Sequence, residues 1–114
     1  MNKISDEDCC SVIDEFLTII GGKWAFLVIG HLNKGALRFN QLQRNINTIS
    51  AQSLTKTLKH LEKSGMIYRH ALPTVPVTVE YSLTDKGQDF QSILEEIRDW
   101  GQKWEKENSS NSTK

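Results

Sequence analysis

The sequence predicts a mainly α-helical fold with one small β-hairpin, an α+β chain, on three observations. Apolar residues recur at helical spacing in five stretches, most of which end at glycine or asparagine. Two later runs, 67–72 and 77–83, are rich in β-branched and aromatic residues. The segment 73–76 between them, Pro-Thr-Val-Pro, cannot continue a ladder and predicts a hairpin tip. Helix, turn, helix and hairpin in this order is the layout of a winged helix-turn-helix.

The first part of the chain predicts two helices and a short strand. Residues 10–20 have a dense but roughly helical apolar pattern, which Gly21 and Gly22 should end. Residues 24–32 are apolar nearly all round, which is typical of a buried central helix. A short strand is expected at 37–39.

Polar caps mark the later helices. Asn40 is a suitable N-cap for a short helix, and Ser50 is a suitable N-cap for a longer one. Gly65 should stop that longer helix in a left-handed conformation, and Thr84 should cap the last helix. The inner face of the helix after Ser50 is predicted to be the stripe Leu54, Leu58 and Leu61.

A length of 114 residues indicates one domain. We expect a flexible segment over 1–9, a winged helix-turn-helix DNA-binding and dimerisation domain over 10–107, and a disordered Ser/Asn-rich tail over 108–114. No apolar run approaches the roughly 18–20 residues that a membrane span needs. The acidic N-terminus also lacks the apolar centre of a signal peptide. These features predict a cytoplasmic protein without membrane association.

Charge is strongly segregated along the chain. Residues 34–70 carry seven basic side chains and one acid, Glu62, whereas the stretches 1–33 and 84–107 are acidic. A net charge of zero therefore conceals a basic middle segment. Because DNA affinity comes from local phosphate neutralisation rather than from total charge, this segment is a candidate DNA-binding region.

Six short runs occur in an order and spacing that are together highly specific. They are IGGKW (20–24), RFNQL (38–42), ISAQSLTKTLKHLE (49–62), GMIYR (65–69), VPVTVEYSLTDKG (75–87) and DWG (99–101). With these runs, residues 10–104 resemble the HxlR family of bacterial regulators, a MarR-like winged-helix group. The resemblance implies a homodimeric transcription factor whose helix after the turn reads the DNA major groove. It also implies a hairpin wing on the DNA backbone or minor groove, and a dimer interface from the first and last helices.

The helix after Ser50 has a polar side opposite its leucines, which we call the reading face: Gln52, Ser53, Thr55, Lys56, Lys59 and Lys63. A recognition helix reads bases mainly with its N-terminal residues, so Gln52 could pair with adenine and Lys56 with guanine. Lysines further along fit phosphate contacts. The predicted DNA-binding set also includes Arg38, Arg44, Ser50 and Thr74. The alternative to DNA binding by the reading face is an ordinary solvated helix face, and the alternative for Thr74 is a plain structural turn.

Two adjacent cysteines open the first predicted helix. The resemblance places Cys10 where several family members sense oxidants or electrophiles, although Ser11 replaces the proline common there. A helix N-terminus favours a thiolate, whereas the neighbouring acids oppose it. A Cys9–Cys10 disulfide would be strained, and an intersubunit disulfide or two inert thiols are the alternatives. We predict redox sensing at Cys10 ahead of Cys9, with a small thiol-reactive effector.

The last predicted helix carries a long apolar stripe that a small monomer core cannot cover. Burial against a second copy is the simplest explanation, with a small-molecule pocket as the alternative. The predicted dimerisation residues are Phe16, Ile93, Ile97, Trp100 and Trp104.

The sequence contains no motif that is typical of a metal site or an enzyme. His31, His60 and His70 have no zinc spacing with the cysteines, so no metal and no cofactor are expected. No phosphate loop, nucleophile elbow or paired carboxylates occur, and no histidine is close in sequence to Cys10, so no enzyme is predicted. The prediction is a regulator that binds a double-stranded operator as a homodimer. The rival is a winged-helix protein-interaction module without DNA affinity.

Overall fold

The computed structural model describes the backbone of residues 6–111 and the side chains of residues 10–106. The described backbone forms α1 Asp6–Ile20, α2 Lys23–Leu32, β1 Leu37–Arg38, α3 Phe39–Ile46, α4 Ala51–Lys63, β2 Ile67–Leu72, β3 Thr78–Leu83 and α5 Asp85–Asn111. The predicted mainly α fold with a hairpin wing, formed by β2, β3 and their connection, is confirmed. The short β1 adds a third strand to that hairpin.

The terminal helices extend beyond the bounds that the sequence predicts. α1 begins at Asp6, within the expected flexible segment 1–9. α5 continues to Asn111, into the stretch 108–114 for which the sequence predicts disorder. Helix propagation from a packed segment adds one hydrogen bond for each residue it fixes, so weak formers can be carried along. The predictions for 1–5 and 112–114 lie outside the described residues.

β3 is the central strand of an antiparallel sheet with the order β1-β3-β2. Its register places Tyr81 between Leu37 of β1 and Arg69 of β2. Laterally paired residues share one face of a sheet, so these three side chains project to the same side. Leu37 and Tyr81 pack against the buried core, and Arg69 therefore also lies on the helical side of the sheet.

The helix caps agree with the sequence at two positions and differ at one. Ser50 Oγ accepts from the Ser53 backbone N–H at 3.0 Å, and Thr84 Oγ1 accepts from the Gly87 N–H at 3.0 Å. The predicted cap Asn40 is wrong, because α3 already begins at Phe39. Arg38 is the N-cap, and its N–H donates to the Gln41 side chain at 2.9 Å. Pairing of Arg38 with Glu80 holds the chain extended up to that residue and sets where the helix starts.

The hydrophobic core is centred on α2, as the sequence predicts. Val28 and Ile29 of α2 are fully buried, and α2 contacts each of the other helices as well as β3. Gly65, with φ 79°, supplies the left-handed stop after α4. Within residues 6–111 no helix is long and apolar enough to cross a membrane.

Candidate nucleic-acid interface

α4 presents the reading face to solvent. Its leucine stripe packs toward α2 and β2, with Leu54, Leu58 and Leu61 at most 2% exposed. Burial of that stripe turns the opposite side of the helix outward. Of the reading face, Ser53 is half-buried and the exposed residues are Gln52, Thr55, Lys56, Lys59 and Lys63.

Local hydrogen bonds decide what the hydroxyl groups near the start of α4 can do. As the N-cap of α4, the Ser50 hydroxyl oxygen accepts a hydrogen bond from the Ser53 N–H. Its own proton is therefore available to a phosphate oxygen. The Thr55 hydroxyl donates to the Ala51 carbonyl oxygen at 2.8 Å. Phosphate oxygens only accept, so Thr55 fits a base amino group better than a phosphate in this geometry.

The two predicted arginines lie at opposite ends of α3. Arg38 is exposed at the N-cap and is the cross-strand partner of Glu80. Arg44 is exposed in the last turn. Directly paired residues lie on the same face of a sheet, so the Glu80 carboxylate would repel a phosphate near Arg38. Arg44 is therefore the better placed of the two as a phosphate contact.

The wing tip holds Thr74 in a local network. The Thr74 hydroxyl lies 2.8 Å from the Pro76 carbonyl oxygen and 3.0 Å from Thr78 Oγ1. This arrangement engages its proton within the tip, which matches the alternative of a structural turn. Val75, at the tip itself, is fully exposed.

The sequence-based set omits Arg69, which the structure places beside the reading face. A cavity of about 360 Å³ between α4 and the sheet is lined by Thr55 and Lys59 from α4 and by Arg69 from β2. The sequence contained a signal for this placement. Side chains two positions apart on a strand share one face of the sheet, so Arg69 lies on the same face as the apolar Ile67. The sequence did not show that this face of the sheet packs against α4.

The predicted sensing cysteine is accessible. Cys10 is exposed in α1 with a free thiol, whereas the Cys9 side chain lies outside the described residues. Cys10 continues the exposed stripe of Ile13 and Leu17 at i, i+3 and i+7. α1 is joined to α4 by His60, whose Nε2 donates to the Thr18 carbonyl oxygen at 2.7 Å.

α1 and α5 expose large apolar side chains that a single chain leaves in water. The predicted dimerisation residues divide into two groups. Phe16 is half-buried, with its ring 5.3 Å from that of Phe90, so it belongs in part to the chain's own core. The exposed residues, which we call the apolar face, are Val12, Ile13, Leu17, Ile93, Ile97, Trp100 and Trp104.

Comparison with known proteins identifies the class of this fold and site. The HxlR-like helix-turn-helix family model matches residues 19–109. An uncharacterised helix-turn-helix transcriptional regulator of Methanothermobacter thermautotrophicus is 46% identical over 96 residues, which cover 84% of this chain and 72% of that protein.

Solved structures agree with this match. A protein of Enterococcus faecalis that is described as a transcriptional regulator of the MarR family superposes with TM-score 0.82 at 27% identity, covering 96% of this chain and 99% of that one. The redox regulator HypR in its reduced form superposes with TM-score 0.79 at 34% identity, covering 86% and 97%. The chain is therefore a transcriptional regulator of the winged helix-turn-helix class and not an enzyme. It belongs to the HxlR-like helix-turn-helix family.

Proposed function

We propose that this regulator binds a specific double-stranded DNA operator as a homodimer, with α4 in the major groove. The observation that carries the proposal is the exposed reading face of α4, fixed from behind by its buried leucine stripe. A rigid helix with basic and amide side chains at its N-terminal half suits base-edge contacts. Gln52 and Lys56 are assigned to bases, and Lys59 and Lys63 to phosphates.

The apolar face supports assembly from two copies. It combines seven large apolar side chains on the first and last helices, each at least 41% exposed in the single chain. A groove of about 250 Å³ between α1 and α5, lined by Val12, Phe16 and Ile93 among others, could receive side chains of a second copy. A two-fold dimer would present two α4 helices to an inverted repeat with half-sites about 10–20 base pairs apart.

Charge neutralisation on the reading face tests the proposal. We expect Lys56→Gln with Lys59→Gln to weaken binding to DNA from upstream of the chain's own gene at least about tenfold, since a base contact and a phosphate contact are lost. Titration at fixed salt, against scrambled competitor DNA, measures the effect. Lys106→Gln, at an exposed lysine on α5, should leave binding unchanged. Equal binding by the double variant would show that the reading face does not contact the DNA, whereas no binding by the unmodified protein to either DNA would favour the interaction-module rival.

We also propose that modification of Cys10 switches the regulator. Two Cys10 thiols, one from each copy, can lose two protons and two electrons to a thiol oxidant and join as an intersubunit disulfide. An electrophile would instead bond to the Cys10 sulfur as the thiol proton leaves. Either change alters α1, and the bond between His60 and Thr18 links α1 to α4. The similarity to HypR, described as a redox regulator, supports this part of the proposal.

Cys10→Ser should abolish the response to oxidant. We expect the unmodified protein to change its DNA affinity at least about fivefold after treatment with a mild thiol oxidant, a typical allosteric coupling. Cys10→Ser should bind equally well with and without the oxidant, because serine cannot form the modified sulfur species. Cys9→Ser is the matched control and should respond as the unmodified protein does. A retained response in Cys10→Ser would contradict the switch but leave DNA binding intact.

A further inference from the structure

The cavity between α4 and the sheet joins charged groups from two elements. α4 contributes Lys59 and Glu62, and β2 contributes Arg69, while Phe39, Leu58 and Tyr81 form apolar walls. Lys59 belongs to the reading face, so the cavity is continuous with the surface proposed to meet DNA. All three charged side chains are exposed.

The charged groups of this cavity are not neutralised by one another. Among the described side chains, the one ion pair is between Lys86 and Glu15, on another part of the surface. Arg69 and Glu62 line the same cavity without forming such a pair or a side-chain hydrogen bond within residues 10–106. Arg69 therefore keeps its five donors for an external acceptor, and a guanidinium suits the bidentate geometry of a phosphate.

We propose that this cavity binds a backbone phosphate of the DNA, with Arg69 as the clamp and Glu62 as an opposing charge. The proposal deepens the DNA-binding function above and rests on it. When α4 enters the major groove, its N-terminal residues meet bases, and positions further along together with the flanking strand face the sugar-phosphate backbone. Glu62 repels a phosphate in the same cavity and competes with it for Arg69. The two side chains should thus affect DNA affinity in opposite directions.

The test measures affinity across a range of salt concentrations for Arg69→Gln and Glu62→Gln. Arg69→Gln should weaken binding about three- to tenfold on operator and scrambled DNA alike, and should reduce the salt slope by about one. Glu62→Gln should tighten binding to both DNAs. Arg69→Lys should restore the salt slope, because it keeps the positive charge, while recovering only part of the affinity. Arg98→Gln and Glu96→Gln, exposed positions on α5, are the matched controls and should change neither quantity.

The outcomes separate this site from the proposed function. No binding by the unmodified protein to its upstream DNA or to scrambled DNA would count against the function itself. Normal binding with an unaltered affinity and slope for Arg69→Gln would overturn the phosphate site alone. A loss confined to the operator would also overturn it, since that pattern marks a base contact. Thermal unfolding of each variant shows whether Arg69 instead serves stability, in which case Arg69→Gln lowers the Tm at an unaltered salt slope.

Discussion

Replacing Trp100 and Trp104 together with alanine should turn the proposed dimer into a monomer and weaken binding to a full inverted repeat about 100-fold or more. The two rings are 66% and 46% exposed in the single chain. They therefore contribute little to its own core, which α5 enters through Phe90 and Leu94. Burial against a second copy would remove this area from water, and a fully buried aromatic ring stabilises by roughly 1.5–3 kcal/mol.

Light scattering would report the assembly state of this double variant, and titrations on full and half operators would report its affinity. The loss should be large on the full operator and small on a half-site, because a monomer retains its reading face but loses the second contact. Tyr68→Ala is a matched control, since Tyr68 is a 60% exposed aromatic residue on β2, and it should remain dimeric. If the double variant is still a dimer, the apolar face is buried by something other than a second copy.

Gly87→Ala should lower the free energy of unfolding by about 3 kcal/mol, which raises the unfolded fraction by about two orders of magnitude. Gly87 is buried in the first turn of α5, where an added Cβ would overlap the Met66 carbonyl oxygen and crowd Leu83. That carbonyl also accepts the Thr84 N–H at 3.0 Å, so the backbone there is held in place. The gain of about 1 kcal/mol in helix propensity is too small to offset the overlap.

Chemical denaturation at one fixed protein concentration would measure this change, because the stability of the proposed dimer would depend on protein concentration. Gly30→Ala is the matched control: Gly30 is exposed within α2, and an added Cβ there meets nothing within 4 Å. It should stabilise the protein by up to about 1 kcal/mol. Equal stability of the two variants would mean that the start of α5 can shift away from Met66 without cost.

The sequence predicted the elements whose signals are local. Ser50 and Thr84 were identified as caps because the preference for a hydroxyl at that position depends only on the next few residues. The buried stripe of α4 was predicted from its spacing, since the periodicity of a helix fixes which side chains share a side. The exposed part of the reading face followed from the same periodicity.

Other features depended on neighbours that are distant in the chain. The start of α3 at Phe39 instead of after Asn40 was set by the pairing of Arg38 with Glu80 on another strand. No local preference of the sequence encodes this pairing.

The sequence by itself determined the class of fold, the buried stripe and the basic segment, because periodicity, capping and charge are properties of short stretches. Only the tertiary structure brought Arg69 beside Lys59 and placed Glu62 in the same cavity. It also divided the predicted dimerisation residues, assigning Phe16 in part to the core while leaving Trp100 in water. The physical reason is that burial and charge proximity are set by which surfaces meet, and that choice is made by packing among elements far apart in the chain.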